Sequence, residues 1–253
     1  MIQRLAETGL NCPVPNYYQP VTIQNPRKDE ETILKTLSAI RTGKRPNDLL
    51  LLNYYHELPI SFGATIEYID RGIAVLMIHS FQAVAMMMQH LTFMKSELLP
   101  HWVIANVLKV DRENNLAFLA LFSYVQNPLE RRMHIRITLP EMVGASFHNR
   151  KLRVPGAVRE ISFGGLALLA PQDNVIREKE KGIVSIQLPT TKLDVPGTFI
   201  KYQERESLRR NIFLLEMNAR CERILSQYIY QQQSRIMDEL KNISPDMREE
   251  WRL

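Results

Sequence analysis

The sequence predicts a mainly β protein of two domains, closed by a C-terminal helix. Three observations carry that prediction: short runs of apolar residues between turn signals, a break over 125–130 that contains Pro128, and a change to helical periodicity past Ala219. The chain has 253 residues, 45% of them apolar, so each domain can bury a core of its own.

The first 27 residues carry Pro13, Pro15, Pro20 and Pro26, a spacing that suits an extended arm over 1–27. Asp29 then caps a short helix. Its apolar positions Ile33, Leu34, Leu37 and Ile40 recur at helical spacing, and Gly43 is placed to end it. Strand-like runs follow at 48–55, 61–69 and 73–78, then a Met-rich segment to Met94 in which Met77, Met86, Met87, Met88 and Met94 fill an irregular core. The apolar runs 73–78 and 81–88 together make about 16 positions, short of the ~20 a bilayer needs, so no membrane span is expected. Two more strands, 102–110 and 116–124, flank the polar turn 111–115 as a hairpin requires. These elements make an N-terminal β-rich, split-barrel-like domain over 28–126.

The second domain is predicted over 127–242. Strand candidates fall at 133–139, 143–148, 152–161, 165–170, 183–188, 193–202 and 211–217, and short strands with regular turn signals indicate a barrel or a sandwich. A helix over about 219–242 gathers Ile224, Leu225, Tyr228, Ile229, Ile236 and Leu240 near one face, and a tail follows over 243–253. Arg209 and Arg210 follow Glu204 and Glu206 in an expected hairpin and read as solvated charge.

The chain carries 32 basic and 27 acidic residues, a net charge of +5. Residues 131–159 hold Arg131, Arg132, Arg136, Arg150, Lys151, Arg153 and Arg159 against Glu141 alone, so a local balance of +6 is expected to act as one field for a small polyanion. The mixed charge elsewhere excludes a generic polycation. Cys12 and Cys221 stand far apart without a Cys-x-x-Cys pair, and the first residues lack a secretory pattern, so a cytoplasmic protein is expected. The six histidines show no metal-ligand spacing, and neither a P-loop nor a Gly-x-Ser-x-Gly elbow is present, so neither a metal nor an enzyme activity is expected. Single-stranded nucleic acid is a rival ligand for a basic barrel. Such sites interleave exposed aromatics with the charge, whereas only His134, Phe147 and Phe163 lie near it here, so nucleic acid is not the expected partner.

In an extended chain Met133, Ile135, Ile137 and Leu139 point one way, and Arg132, His134, Arg136 and Thr138 the other. Arg132 and Arg136 then stand roughly 13 Å apart at about 3.3 Å per residue, a span two guanidinium groups can close around a ligand with two phosphates. Ser162 offers one donor and two acceptor lone pairs, while Gly164 and Gly165 allow a sharp turn and a close backbone approach. Glu160 can accept the paired N–H donors of a guanine edge, or serve as an ion-pair partner of Arg159 or Arg136.

These two segments resemble the PilZ family, whose signature is Arg-x-x-x-Arg, often after another Arg, followed by Asp/Asn-x-Ser-x-x-Gly. Arg132 and Arg136 match the first motif with Arg131 before it, and Ser162 and Gly165 match the second, while Glu160 stands where the family has Asp or Asn. The resemblance implies a six-stranded β-barrel that binds cyclic di-GMP without a cofactor. Arg131, Arg132 and Arg136 would grip phosphates and stack on guanine, with Ser162 and Gly165 at the floor of the site. The order of a β domain, a linker, a barrel and a closing helix is similar to the two-domain flagellar brakes of that family. It implies ligand-driven reorientation of the domains, a flagellar motor or stator protein as partner, association with the basal body, and leaves a homodimer open. The alternative within the family is a ligand-free adaptor acting through protein contacts.

Overall fold

Asn25 opens the first helix, α1 (Pro26–Arg41): its side chain accepts the Lys28 N–H at 3.0 Å, and Pro26 takes a first-turn position where no N–H is needed. The cap thus lies one turn before Asp29. Asp29 is instead buried in the first turn, where its carboxylate accepts the N–H groups of Ile23 and Gln24 at 2.9 and 3.1 Å and ties the incoming chain to the helix. Ile33, Leu37 and Ile40 form the buried face, and Gly43 follows the C-cap with φ +70°, as its sequence position predicts.

The computed structural model describes residues 18–126, 136–173, 175–205 and 208–243. They divide into two compact units, one of 18–53 and 60–126, the other of 54–59 and the described residues from 136 to 243.

In the first unit β1 (Leu50–Tyr55), β2 (Leu58–Gly63), β3 (Thr65–Asp70), β4 (Ile73–Met77), β5 (Leu91–Lys95), β6 (Trp102–Asp111) and β7 (Leu116–Val125) make one sheet. Its order is β2-β1-β5-β6-β7-β4-β3, and it curves as a half-barrel. The run expected over 61–69 is thus two strands divided at Ala64. Between β4 and β5 the Met-rich segment forms α2 (Ser80–Gln89), capped by His79, whose Nδ1 accepts the Phe81 N–H at 3.1 Å. Met86 and Met94 are fully buried, but Met77, Met87 and Met88 are exposed, so the methionines fill the core only in part. Residues 81–86 of α2 are buried on every side, whereas Met87 and Met88 lie in its last turn, where the helix emerges from the core. Of the arm predicted over 1–27, residues 1–17 lie outside the described residues; Pro20 bridges Val125, and the Val21 N–H donates to the Tyr124 carbonyl at 2.9 Å.

In the second unit β8 (Arg136–His148), β9 (Arg153–Ser162), β10 (Gly165–Pro171), β11 (Lys181–Gln187), β12 (Lys192–Arg205) and β13 (Leu208–Leu215) close a six-stranded barrel in the order β10-β13-β12-β11-β8-β9. The barrel, not the sandwich, is the outcome. Ile137, Phe147, Val158, Ile161, Leu168, Val184, Val195, Phe199 and Phe213 are buried within it. The runs expected at 133–139 and 143–148 join as the single strand β8, because the register shift between Thr138 and Val143 absorbs Pro140 without ending the pairing. Residues 133–135 lie outside the described residues. α3 (Ala219–Ile243) buries Leu225, Ile229, Ile236 and Leu240 and packs against β8 and β12. Tyr54–Pro59 counts with this unit: the Thr138 N–H donates to the His56 carbonyl at 2.8 Å, and the Tyr55 hydroxyl to Glu239 Oε1 at 2.7 Å. No helix among the described residues is long and apolar enough to cross a membrane.

Candidate functional site

β8 begins with the alternation its sequence predicts. Ile137 and Leu139 point into the barrel at 0% and 2% exposure, which leaves Arg136 and Thr138 on the outer face. Arg132 and His134, predicted for the same face, lie outside the described residues, as does Arg131. Ser162 pairs with Arg136 on one side and with Gly165 on the other, so Arg136, Ser162 and Gly165 occupy one rung across β8, β9 and β10. Two segments well separated in sequence thereby meet at one end of the barrel.

The turn between β9 and β10 is Phe163-Gly164. The Ser162 hydroxyl donates to the Gly165 carbonyl at 3.0 Å, and the Leu215 N–H donates to the Gly164 carbonyl at 3.1 Å, so the hairpin is tied both to itself and to β13. Neither glycine takes a left-handed backbone. The sequence reading assigned their freedom to the turn, but Gly165 answers a different need, since a Cβ there would stand 2.4 Å from the Phe213 carbonyl oxygen.

Glu160 reaches the same outer face through a bulge. Val158 pairs with Leu168 and Glu160 with Ala167, which leaves Arg159 as the extra residue on β9 and turns Glu160 and Ser162 to one side. The Glu160 carboxylate is held by the Arg210 fork, with Nε donating to Oε1 at 3.3 Å and Nη2 to Oε2; Arg136 Nη1 stands 3.6 Å from Oε2. Arg210 Nη1 also donates to Gln203 Oε1 at 2.8 Å. Of the two partners foreseen for Glu160, Arg136 is found and Arg159 is the bulge residue.

Arg209 and Arg210 are therefore not solvated charge. Arg210 is 7% exposed, and the Arg209 guanidinium lies 4.3 Å from the Tyr202 ring centroid and pairs with Glu204 at 3.5 Å. Arg210 and Gln203 are the residues sequence reasoning missed. Their signal, a cation and an amide on neighbouring outward positions, has meaning only once the barrel register joins them to Glu160.

The basic cluster also divides. Arg153 pairs with His148 at the far end of the β8–β9 ribbon from Arg136 and Ser162, nine residues of β9 away or roughly 30 Å along an extended strand at about 3.3 Å each. There Lys151, Arg153, His148 and Lys192 line a separate open cleft of about 590 Å³. The expectation of one local field of +6 is thus corrected, because an antiparallel ribbon sends the two halves of the run to opposite ends. Among the described residues no group of three His, Cys, Asp or Glu could hold a metal ion.

The family model described as "PilZ domain" matches residues 130–231. This segment is a PilZ domain. The match spans all six strands of the barrel and the first half of α3. No curated protein matches the chain. Among solved structures, YcgR of Escherichia coli in complex with c-di-GMP aligns at TM-score 0.44 and 13% identity over 90% of this chain and 97% of its own. The Bacillus subtilis inhibitor of motility, MotI/DgrA, aligns at 0.39 and 14% over 75% and 97%. The c-di-GMP complex of K. pneumonia MrkH aligns at 0.39 and 14% over 82% and 96%. The assignment of the PilZ domain rests on residues 130–231 and not on these likenesses.

Proposed function

We propose that the chain is a cyclic di-GMP-binding effector and not an enzyme. The observation that carries the reading is the meeting of Arg136, Ser162 and Gly165 on one rung of a PilZ barrel, with Glu160 beside them on the outer face. Arg131 and Arg132 precede that rung in sequence. Three or four charge-assisted bonds of about 1.5–3 kcal/mol each supply much of the ~8 kcal/mol that micromolar binding requires. The Ser162 hydroxyl and the Gly164–Gly165 backbone form the floor, and Glu160 accepts from guanine N–H groups with the lone pairs that Arg210 leaves open. Phe147 is fully buried, which removes one of the few aromatics a nucleic-acid site could use.

For the output we propose a protein partner in the cytoplasm, a flagellar motor or stator protein being the class implied by the likeness to flagellar brakes. The same likeness implies that ligand binding reorients the two domains. A second reading is a ligand-free adaptor, and one observation favours it: both Glu160 oxygens are already engaged by Arg210. Calorimetry separates the two. The expected result is saturable heat with cyclic di-GMP, lost in Arg132→Ala and Arg136→Ala and reduced in Ser162→Ala. Folded parent protein that gives no heat supports the adaptor, and arginine variants that bind like the parent overturn the site.

A further inference from the structure

The open cleft at the far end of the barrel from Arg136 and Ser162 holds polar side chains without a partner among the described residues. Ser146 and His148 stand two apart on β8 with Phe147 between them at 0% exposure, so both face outward. One rung runs from Asp194 through Ser185 and Ser146 to Pro155, across β12, β11, β8 and β9. Two residues along β8, His148 stands beside Arg153. Neighbouring strands lie about 4.8 Å apart and successive outward positions about 6.6 Å apart, so these groups fall within reach of one small ligand. Lys192 on β12 and Asn149, Lys151 and Leu152 of the β8–β9 turn complete a lining around about 590 Å³, within the size range of small-molecule sites.

Two carboxylates border the cleft through its lining residues, and both are already engaged. Asp194 accepts from the Ser185 hydroxyl and lies 3.2 Å from Lys192 Nζ, while Glu180 accepts from Asn149 Nδ2 at 2.8 Å and from the Arg177 N–H at 3.0 Å. Arg153 and Lys151, by contrast, have no carboxylate within ion-pair distance among the described residues, and there the Ser146 hydroxyl and the His148 ring make no hydrogen bond. The turn that presents the two cations is tied down: Asn149 Oδ1 accepts the N–H groups of Lys151 and Leu152 at 2.8 and 3.0 Å. Little ordering of the backbone is then left for a ligand to impose. Donors that approach from several strands and a turn suit a tetrahedral anion with many acceptor oxygens better than a planar carboxylate with two. The fork of Arg153 matches phosphate oxygens in particular. No Phe, Tyr or Trp is among the described residues that line the cleft, so nothing there stacks a base as single-stranded nucleic acid requires.

We propose that this cleft is a second anion site, binding the phosphate group of a phosphomonoester through Arg153, Lys151 and the Ser146 hydroxyl. The proposal does not rest on the cyclic di-GMP reading, since it uses none of that site's residues. A soluble phosphomonoester and the headgroup of phosphatidic acid offer the same chemistry. The test separates them: the full chain is titrated with glycerol phosphate by calorimetry, and in parallel sedimented with phosphatidylcholine vesicles with and without phosphatidic acid. Saturable binding of glycerol phosphate is expected for a soluble ligand, and binding of the phosphatidic acid vesicles alone for a lipid. Whichever probe binds, Arg153→Gln is expected to weaken it about tenfold and Ser146→Ala about threefold. Arg150→Gln removes an exposed cation of the same turn that does not line the cleft, and is expected to change affinity by less than about twofold. Melting curves establish that each variant is folded; if Arg153→Gln is not, Ser146→Ala against Arg150→Gln carries the comparison.

A folded parent that binds neither probe overturns the proposal. Equal losses in Arg150→Gln and Arg153→Gln overturn it too, because they mark diffuse surface charge. Complete displacement of the probe by cyclic di-GMP assigns the phosphate to the other end of the barrel, with the same consequence. So does a random oligonucleotide that binds more tightly than either probe and loses affinity in Arg153→Gln.

Discussion

Gly165 shows how one missing Cβ sets the geometry of the candidate site. β10 pairs with β13 from Gly165 opposite Leu214 to Pro171 opposite Leu208, and at the first rung the strands come so close that a methyl at 165 would meet the Phe213 carbonyl oxygen at 2.4 Å. That neighbour is backbone, so it cannot turn aside as a side chain would. Gly165→Ala must push β10 and β13 apart, and with them the carbonyl that receives the Ser162 hydroxyl. Overpacking of this kind costs about 1–3 kcal/mol. Gly144 is the internal control: it lies on β8 in the same barrel, and a Cβ there would meet nothing within 4 Å. Thermal melts are expected to show a clear loss of stability for Gly165→Ala and a change within about 0.5 kcal/mol for Gly144→Ala. Equal melting temperatures for the two variants would contradict the packing account.

At the scale of elements, α1 separates what the sequence makes legible from what it hides. Its buried face is plain from Ile33, Leu37 and Ile40, because helical spacing is a local property, and the same holds for Leu225, Ile229, Ile236 and Leu240 of α3. Its start is not plain, since Asn25 and Asp29 are both good capping residues and the choice depends on where the arm enters. Asn25→Ala is expected to cost about 1 kcal/mol as a lost cap, read as a lower melting temperature. Asp29→Ala is expected to cost more, because it leaves the Ile23 and Gln24 N–H groups without their acceptor. A smaller loss at Asp29 than at Asn25 would show that the arm is not anchored through that carboxylate. The barrel follows the same rule: the alternation of Arg136, Ile137, Thr138 and Leu139 is legible from the chain, and so is the pair of motifs around Arg136 and Ser162. Arg210 is hidden because its partner stands 50 positions earlier and is reached only through the register of β9, β10 and β13. The split of the basic run is hidden for the same reason, since only the length and antiparallel pairing of β8 and β9 show that Arg136 and Arg153 part company.

For the whole molecule, the ionisable groups define a window of stability with two edges. Among the described residues four carboxylates are held below their ordinary range, two in each unit: Asp48 by the Ser96 hydroxyl, Asp111 by Asn114, Glu180 by the Arg177 N–H and then Asn149, and Asp194 by the Ser185 hydroxyl and then Lys192. Each lowered group binds a proton less readily folded than unfolded, so it contributes stability above the ordinary carboxylate pKa of about 4, and that contribution fades as pH falls through the lowered folded value. The tyrosines act at the other edge. Burial raises Tyr18, Tyr124 and Tyr228, and burial followed by the Glu239 carboxylate pushes Tyr55 up to about 12. A raised tyrosine stabilises the folded state below the ordinary value of about 10, and this is lost as pH rises from there through the folded value. Melting temperature is therefore expected to stay nearly level from pH 5 to 9, on the order of these reference values, and to fall on both sides. The edges have separate causes, so they separate by substitution: Asp194→Asn is expected to soften the acid limb and leave the alkaline one unchanged, while Tyr55→Phe does the reverse. Because each unit carries two of the lowered carboxylates, the acid limb of Asp194→Asn keeps most of its depth, and a variant that abolished the limb outright would show that one group, not four, governs it.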